Sequence, residues 1–123
     1  MDAIPEIQTT RLISSSQVEG TPVYNLDGEK LGSVDSVMID RESGQVVYAV
    51  MAFGGFLGLG EKRHPMPWKT MIYDKQREGY VVSLSREELE GAPNMNAGEY
   101  GELGDRDYEE TVYTHYKAEP YWL

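Results

Sequence analysis

The sequence contains no cysteine among its 123 residues. A disulfide framework, a thiolate metal site and a cysteine nucleophile are therefore excluded. Long apolar runs are missing too, since no segment approaches the roughly 20 consecutive apolar residues of a membrane-spanning helix. The start of the chain, Met1 to Gln8, has neither the cationic region nor the apolar stretch of a signal peptide. These absences predict a cytoplasmic protein without a transmembrane segment.

Basic residues are scarce. Eleven Lys and Arg stand against 21 Asp and Glu, which gives a formal net charge of −10 at pH 7. Nucleic-acid binding draws its affinity from phosphate neutralisation by Lys and Arg, and an anionic lipid surface repels an acidic chain. We therefore expect no nucleic-acid partner, and at most a peripheral association with a membrane through a protein partner.

Turn residues divide the first part of the chain into short elements. Ser14–Ser16 can cap a single helical turn that Gly20 ends, and Thr21–Asn25 then has the pattern of a short strand. The pair Asp27-Gly28 is a hairpin signal, and a long strand begins at Leu31.

The apolar positions of this long strand change parity between Val34 and Val37. Because side chains alternate across a strand, such a slip indicates a β-bulge, here near Asp35-Ser36. Bulges bend strands in the way that closure of a barrel requires.

A strand with two apolar faces follows the turn at Arg41–Gly44. Every side chain from Val46 to Phe53 is apolar, so both faces of this strand need cover. In a small β protein the second layer comes from a tail, a partner strand or another subunit.

A second hairpin and a short helix are predicted further on. Met71–Asp74 and Tyr80–Leu84 have the pattern of paired strands, with alternate residues of the second strand on the inner face. Ser85–Glu88 matches a capping box, which opens a short helix that ends at Gly91.

The composition changes after Pro93. Residues 94–123 are acidic and rich in tyrosine, and Tyr108, Val112 and Tyr116 recur at helical spacing. We expect a short amphipathic helix over 106–117, anchored by Tyr121-Trp122, that packs on the rest of the chain or on a partner.

The ordered set of motifs resembles the PRC-barrel family, named for the cytoplasmic domain of the photosynthetic reaction centre H subunit. The motifs are Gly28-x-x-Leu31-Gly32-x-Val34-x-x-Val37-Met-Ile-Asp40, Gly44-x-Val-x-Tyr48-Ala-Val, Gly54 to Trp68, Leu89-Glu-Gly-Ala-Pro93 and the ending Tyr116 … Pro120-Tyr-Trp122. The last three look like the stand-alone members of proteobacteria.

This resemblance implies a mostly β fold: a small antiparallel PRC-type barrel of about six strands, with short helical turns and a C-terminal helical tail. The expected organisation is a disordered lead-in over 1–10, the barrel domain over 11–93 and the extension over 94–123. The family carries no established enzymatic motif, and its members act as docking modules on membrane-embedded subunits or on a ribosomal protein.

No residue pattern predicts catalysis, a cofactor or a metal. The glycine-rich segment Gly54–Gly60 lacks the Gly-Lys-Ser/Thr and the following helix of a phosphate-binding loop. The two histidines, His64 and His115, have no ligand at short spacing. A calcium loop starting at Asp105 fails because Glu110 and Tyr116 occupy its glycine and glutamate positions. We therefore expect a non-enzymatic protein.

Protein–protein docking, including formation of a homodimer, is the leading functional hypothesis. The alternatives are a small-ligand-binding barrel and a ribosome- or RNA-processing-associated module. The apolar loop after Phe53 either packs on the barrel or protrudes toward a partner, and an exposed apolar tip would favour the latter. The predicted interface residues are Phe53, Phe56, Leu57, Leu59, Tyr113, Tyr116, Tyr121 and Trp122.

Overall fold

The computed structural model describes residues 11–54 and 61–123. In these ranges the chain forms six strands, three α-helices and two short 3₁₀ helices. The strands are β1 (Pro22–Tyr24), β2 (Lys30–Ile39), β3 (Val46–Phe53), β4 (Lys62–Pro67), β5 (Ile72–Asp74) and β6 (Gly79–Val81). The helices are α1 (Ser15–Val18), α2 (Arg86–Glu90) and α3 (Arg106–His115), with 3₁₀ turns at Trp68–Thr70 and Gly101–Gly104.

The strands form one mixed sheet in the order β4-β3-β2-β1-β6-β5. The end strands β4 and β5 are consecutive in the chain and are joined by the 3₁₀ turn Trp68–Thr70. The link from Pro67 to Ile72 spans at most about 18 Å, so the sheet must curl until its two ends approach each other. The result is a barrel-like sheet, although no strand ladder joins β4 to β5 in the described ranges.

The prediction of an antiparallel sheet is wrong at one pair of strands. β1 and β6 run parallel, with Val23 opposite Tyr80 and Tyr24 opposite Val81. The physical reason lies in the link between β4 and β5. The 3₁₀ turn leads the chain across to the far end of the sheet instead of folding it back as a hairpin would, so the direction of the later strands changes relative to β1.

The predicted bulge in the long strand is confirmed. The pairing of β2 with β3 slips between Val34 and Ser36, leaving Asp35 as the extra residue, and slips again between Met38 and Ile39. Three residues earlier, the backbones of β2 and β3 approach so closely that a Cβ on Gly32 would lie 2.0 Å from the carbonyl oxygen of Ala52. Only glycine fits this position.

The concave side of the sheet encloses the main hydrophobic core, which we call the inner cluster. Its members come from five strands, α1 and α2, and they are mostly aliphatic side chains and methionines. They are Val18, Val23, Leu31, Val34, Ala49, Met51, Phe53, Met66, Met71, Tyr80, Val82, Leu89 and Ala92. Tyr80 and Val82 share this face as the sequence predicts, and Leu84 packs against it.

Local sequence signals also place the helices. Ser85 Oγ accepts the Glu88 N–H at 3.0 Å and Glu88 Oε1 accepts the Ser85 N–H at 2.8 Å, so the predicted capping box begins α2. Asp105 caps α3 through the Asp107 N–H at 2.9 Å. The predicted helix over 106–117 ends two residues early, at His115, and Lys117 adopts a positive φ of 54°.

Candidate interaction surfaces

The convex face of β3 is covered by the C-terminal extension of the same chain. Tyr48 and Val50 from β3 pack against Val112 and Tyr113 from α3, and all four side chains are buried. We call this second core the outer cluster; its other buried members are Val47 and Leu103. The two apolar faces predicted for Val46–Phe53 are therefore both satisfied within one chain, and a tail supplies the second layer.

Tyr113 is the centre of the outer cluster. Its hydroxyl donates to the Val47 carbonyl oxygen at 2.9 Å. Its ring lies 5.8 Å from Tyr48, 5.7 Å from Tyr121 and 5.3 Å from Trp122, between centroids. These spacings are those of favourable tilted aromatic pairs, so the predicted Tyr121-Trp122 anchor packs on the helix and on β3.

A buried carboxylate closes this aromatic group. Glu109 is 4% exposed; its Oε1 accepts from Arg106 Nε at 2.8 Å and its Oε2 accepts the Tyr121 hydroxyl. The Arg106 guanidinium in turn lies 4.4 Å above the Trp122 ring, a cation–π distance. The end of the chain is thus tied to α3 by charge as well as by packing.

The bulge residue Asp35 ties the extension to the sheet at a second place. Its Oδ2 accepts the Tyr100 hydroxyl at 2.8 Å, and its Oδ1 lies 3.3 Å from Arg63 Nε on β4. Arg63 also exchanges two backbone hydrogen bonds of 2.9 Å with Met95, so the extension covers part of the β4 edge. The bulge therefore directs a carboxylate outward, where it fixes the extension.

The tyrosines of the outer cluster are held as neutral phenols. Burial raises the pKa of Tyr48, of Tyr113 and of Tyr116, and burial with the hydrogen bond to Glu109 raises the pKa of Tyr121 to about 12. A phenol of such high pKa does not ionise near neutral pH. Tyr113 and Tyr121 donate hydrogen bonds from these neutral hydroxyls, whereas the buried hydroxyls of Tyr48 and Tyr116 have no hydrogen-bond partner among the described residues.

The predicted interface residues lie in two kinds of place. Phe53 and Tyr113 are each 4% exposed, in the inner and outer clusters respectively, while Tyr116, Tyr121 and Trp122 are half-buried against the chain's own side chains. Phe56, Leu57 and Leu59 lie outside the described residues. Their part in a partner interface stays a prediction, and the contacts described for the first five are all within the chain.

An exposed apolar patch, which the sequence did not reveal, lies at the β5 end of the sheet. Leu26 is 70% exposed, Ile72 64% and Tyr73 47%. Together with Val81 they line one shallow surface concavity. The only sequence feature that could have indicated this patch is Leu26, an apolar residue directly before the Asp27-Gly28 turn, where the tip of a hairpin is normally polar. We call these four residues the β5 patch.

Two hydrogen-bonded turns hold the β5 patch rigid. Asn25 Oδ1 accepts the N–H groups of Asp27 at 3.0 Å and Glu29 at 2.9 Å, so the turn that carries Leu26 is fixed from inside. In the turn after β5, Asp74 Oδ1 accepts the Gln76 N–H at 2.9 Å. Rigid presentation reduces the entropy that binding would lose.

The described residues contain no group of three or more His, Asp or Glu side chains placed to hold a metal ion. His64 is buried at 2% exposure on β4, its ring 5.5 Å from that of Phe53. Burial lowers the pKa of this imidazole, and a backbone hydrogen bond at Pro93 opposes the effect in part. None of the helices in the described ranges has the length and apolar character needed to cross a bilayer.

Comparison with known proteins identifies the family. The model of the PRC-barrel domain matches residues 11–89, which is more than half of the chain, and the chain therefore belongs to the PRC-barrel family. The match ends before the extension that covers β3. No curated protein matches the sequence.

Among solved structures, the chain is similar to a candidate 16S ribosomal RNA processing protein, RimM, from Pseudomonas aeruginosa. The identity is 17% and the TM-score 0.41, and the alignment covers 64% of this chain and 48% of that one. The matched part is thus about half of the longer protein.

Proposed function

We propose that this chain is a non-enzymatic docking module of the cytoplasm, which binds a partner protein through the β5 patch. The observation that carries the proposal is the exposure of Leu26, Ile72 and Tyr73 in one concavity at the end of the sheet. Isolated exposed apolar residues are ordinary, but a group on a rigid surface marks a binding site.

The filling of the rest of the fold supports the same proposal. The inner cluster occupies the concave side of the barrel-like sheet, and the outer cluster covers the convex face of β3. A barrel of this size is filled by its own side chains. A partner would therefore bind at the surface of the protein and not in its interior. The acidic surface would contribute orientation and association rate more than affinity.

A pair of matched substitutions tests the proposal. Ile72→Asp places a charge in the β5 patch, whereas Ile39→Asp places the same charge at a half-exposed position of β2 outside it. Proteins captured from the native cell by the wild-type chain should be lost with Ile72→Asp and retained with Ile39→Asp. Circular dichroism and melting temperature confirm that both variants fold. Equal capture by all three chains would refute docking at this patch.

Self-association, expected from the sequence, is examined with the same variants. Light scattering of the wild-type chain measures whether it is a dimer, and a dimer that becomes monomeric only with Ile72→Asp would identify a second copy as the partner. A net charge of −10 on each copy opposes such a pairing. The interior of the barrel as a small-ligand site remains a separate hypothesis, for which ligand-induced thermal stabilisation is the test.

A further inference from the structure

The side chains of the β5 patch do not all project from one face of the sheet. Ile72 lies opposite Val81 in the pairing of β5 with β6, so these two side chains share a face. Tyr80, the neighbour of Val81, belongs to the inner cluster, which places Ile72 and Val81 on the convex face. Tyr73 lies opposite Tyr80 on the other face, with the two ring centroids 5.3 Å apart. The convex surface around Val81 is therefore the part of the patch that one partner segment can cover.

This convex surface is a groove that follows β6. On the side of β1, Tyr24 lies opposite Val81, so Leu26, two residues further on, projects from the same face. Val81 is half-buried and forms the floor of the concavity together with the small side chain of Ser83. Leu26 on one side and Ile72 on the other are 70% and 64% exposed. We call the surface formed by Leu26, Ile72, Val81 and Ser83 the β6 groove.

The two ends of the β6 groove carry opposite charges. At the end beside the turn after β5, Lys75 lines the concavity. At the other end, Leu26 and Ser83 also border a second concavity, which is lined by Asp27 and Glu87. Within the described ranges, none of these three charged side chains has an ion-pair partner. The groove thus begins at a cation and ends at two carboxylates.

The other charged side chains along the groove are balanced within the chain. Glu29 pairs with Arg86 at 2.7 Å, and Asp74 pairs with Arg77 at 3.4 Å. The Arg77 guanidinium also lies 5.8 Å from the centroid of the Tyr24 ring, a cation–π distance. The charges left for a partner are therefore those at the two ends of the groove.

A helix fits the β6 groove better than an extended segment does. On the face of a sheet an extended segment would leave its own backbone groups unpaired, whereas a helix pairs them internally. Leu26 follows β1 and Ile72 lies on β5, with β6 between these strands. Two strand spacings are about 9.5 Å, close to the width of one helix, about 10 Å. In the same chain, α3 already covers the convex face of β3 through Val112 and Tyr113.

A second copy of this chain does not supply such a helix from the residues that the structure describes. α3 has acidic residues in its first turn and His115 in its last, but its apolar side chains are already buried against β3. α1 and α2 have four and five residues, which is little more than one turn each. The occupant is therefore expected to come from another protein.

We infer that the β6 groove binds one amphipathic helix of a partner protein. Aliphatic side chains at helical spacing on this helix pack on Leu26, Ile72 and Val81. Its acidic first turn lies beside Lys75, and its basic last turn lies at the acidic end of the groove. Charges in this order also stabilise the helix itself, because they oppose its dipole. This inference rests on the proposed docking function and specifies the chemistry and the direction of the bound segment.

Four labelled peptides of about 14 residues, about four helical turns, serve as probes. The first has leucines at every third or fourth position, two Glu in its first turn and two Lys in its last. The second exchanges the Glu with the Lys, and the third replaces the leucines with serine. These three are held helical by a hydrocarbon staple on the face away from the leucines. The fourth is the first peptide without a staple and with two central prolines, which prevent a helix.

The first peptide should bind at least about tenfold more tightly than each of the others, which corresponds to about 1.4 kcal/mol. Fluorescence anisotropy at low salt measures the affinities. All four peptides carry the same net charge, so general attraction to an acidic protein cannot produce the difference. Amide chemical shifts of Val81 and Ser83 should move with the first peptide alone.

Substitutions in the chain test the apolar contact and the direction separately. Ile72→Asp should weaken binding of the first peptide about tenfold, whereas Ile39→Asp, an equal charge change outside the groove, should alter it less than about twofold. A chain with Asp27→Lys, Glu87→Lys and Lys75→Glu reverses the charges at both ends and should prefer the second peptide over the first. Circular dichroism and melting temperature confirm that each variant folds.

Three results would overturn the inference: equal affinity for the first and second peptides, an unchanged preference in the charge-reversed chain, or no binding at about 1 mM of the first peptide. Its failure is distinguishable from failure of the docking function. If a protein captured from cells is lost with Ile72→Asp but binds the charge-reversed chain normally, docking at the patch stands and the oriented helix is wrong.

Discussion

The two sides of β3 have been filled in different ways. The inner cluster is aliphatic and methionine-rich, and it lies almost wholly within the residues 11–89 that define the family domain. The outer cluster joins β3 to residues beyond that domain, and it contains a buried carboxylate and several tyrosine hydroxyls. In this chain, residues 11–89 leave one apolar face of β3 without cover, and the C-terminal extension packs on that face.

The largest expected effect is in the backbone that supports both clusters. Gly32→Val would put a side chain against the Ala52 carbonyl oxygen, where even a Cβ would lie at 2.0 Å. Because this obstacle is backbone, we expect a loss of more than about 3 kcal/mol in the free energy of unfolding. Urea unfolding followed by circular dichroism measures it.

Gly44→Ala is the matched control for Gly32→Val. Gly44 has a φ of +77° and no atom within 4 Å of a built Cβ. Only the backbone preference is lost, at a cost of about 1–2 kcal/mol. If the two substitutions destabilise the protein equally, the close approach of β2 and β3 is not a constraint on the fold.

The outer cluster should be as important to the stability of the fold as the inner one. Tyr113→Ala removes the ring at the centre of the outer cluster, and Met66→Ala empties a fully buried position of the inner cluster. Both should cost about 2–5 kcal/mol. Unfolding monitored by tryptophan fluorescence and by circular dichroism should show one shared transition, since Trp122 reports on the outer cluster and Trp68 packs against the inner one.

Tyr113→Phe separates packing from hydrogen bonding. It keeps the ring but removes the donor to the Val47 carbonyl, so we expect a loss of only about 1–2 kcal/mol. A Tyr113→Ala protein that loses less than this, or that unfolds in two separate transitions, would show that the extension is a loosely attached layer.

The sequence predicted elements with strong local or periodic signals. The bulge at Asp35, the capping box at Ser85 and the helix α3 are all where alternation, capping chemistry and 3.6-residue spacing indicated. The parallel pairing of β1 with β6 was not predictable in this way, because it depends on where the turn at Trp68–Thr70 leads the chain. Strand order is a long-range property, and no local pattern encodes it.

The candidate site was harder to predict than the fold for the same reason. The β5 patch combines Leu26 with Ile72, which are distant in sequence and adjacent only because β1 and β6 pair in parallel. The predicted interface included aromatic residues of the extension, because large apolar side chains in an acidic segment are expected to be buried against another surface. The structure shows that the chain itself provides cover for Tyr113 and Trp122.

The smallest expected effect is a pH dependence of the free energy of unfolding that arises on the inner side of the sheet. The inner side contains the buried imidazole of His64, whose pKa is lowered by burial from the ordinary value of 6.5. Below pH 6.5 the His64 imidazole is therefore protonated in the unfolded chain while it stays neutral in the folded chain. The stability contributed by the neutral form is complete above that pH, and it is lost as the pH falls toward the lowered pKa of the folded state.

The slope from one such group is at most about 1.4 kcal/mol per pH unit. Urea unfolding measured from pH 7.5 to pH 5 should show this loss in the wild-type chain, over and above the change shown by His64→Leu, in which no imidazole can be protonated. His115→Gln, which removes the exposed imidazole on the last turn of α3, is the control substitution. If His64→Leu and the wild-type chain lose stability in parallel over this range, the imidazole of His64 is not a buried neutral group.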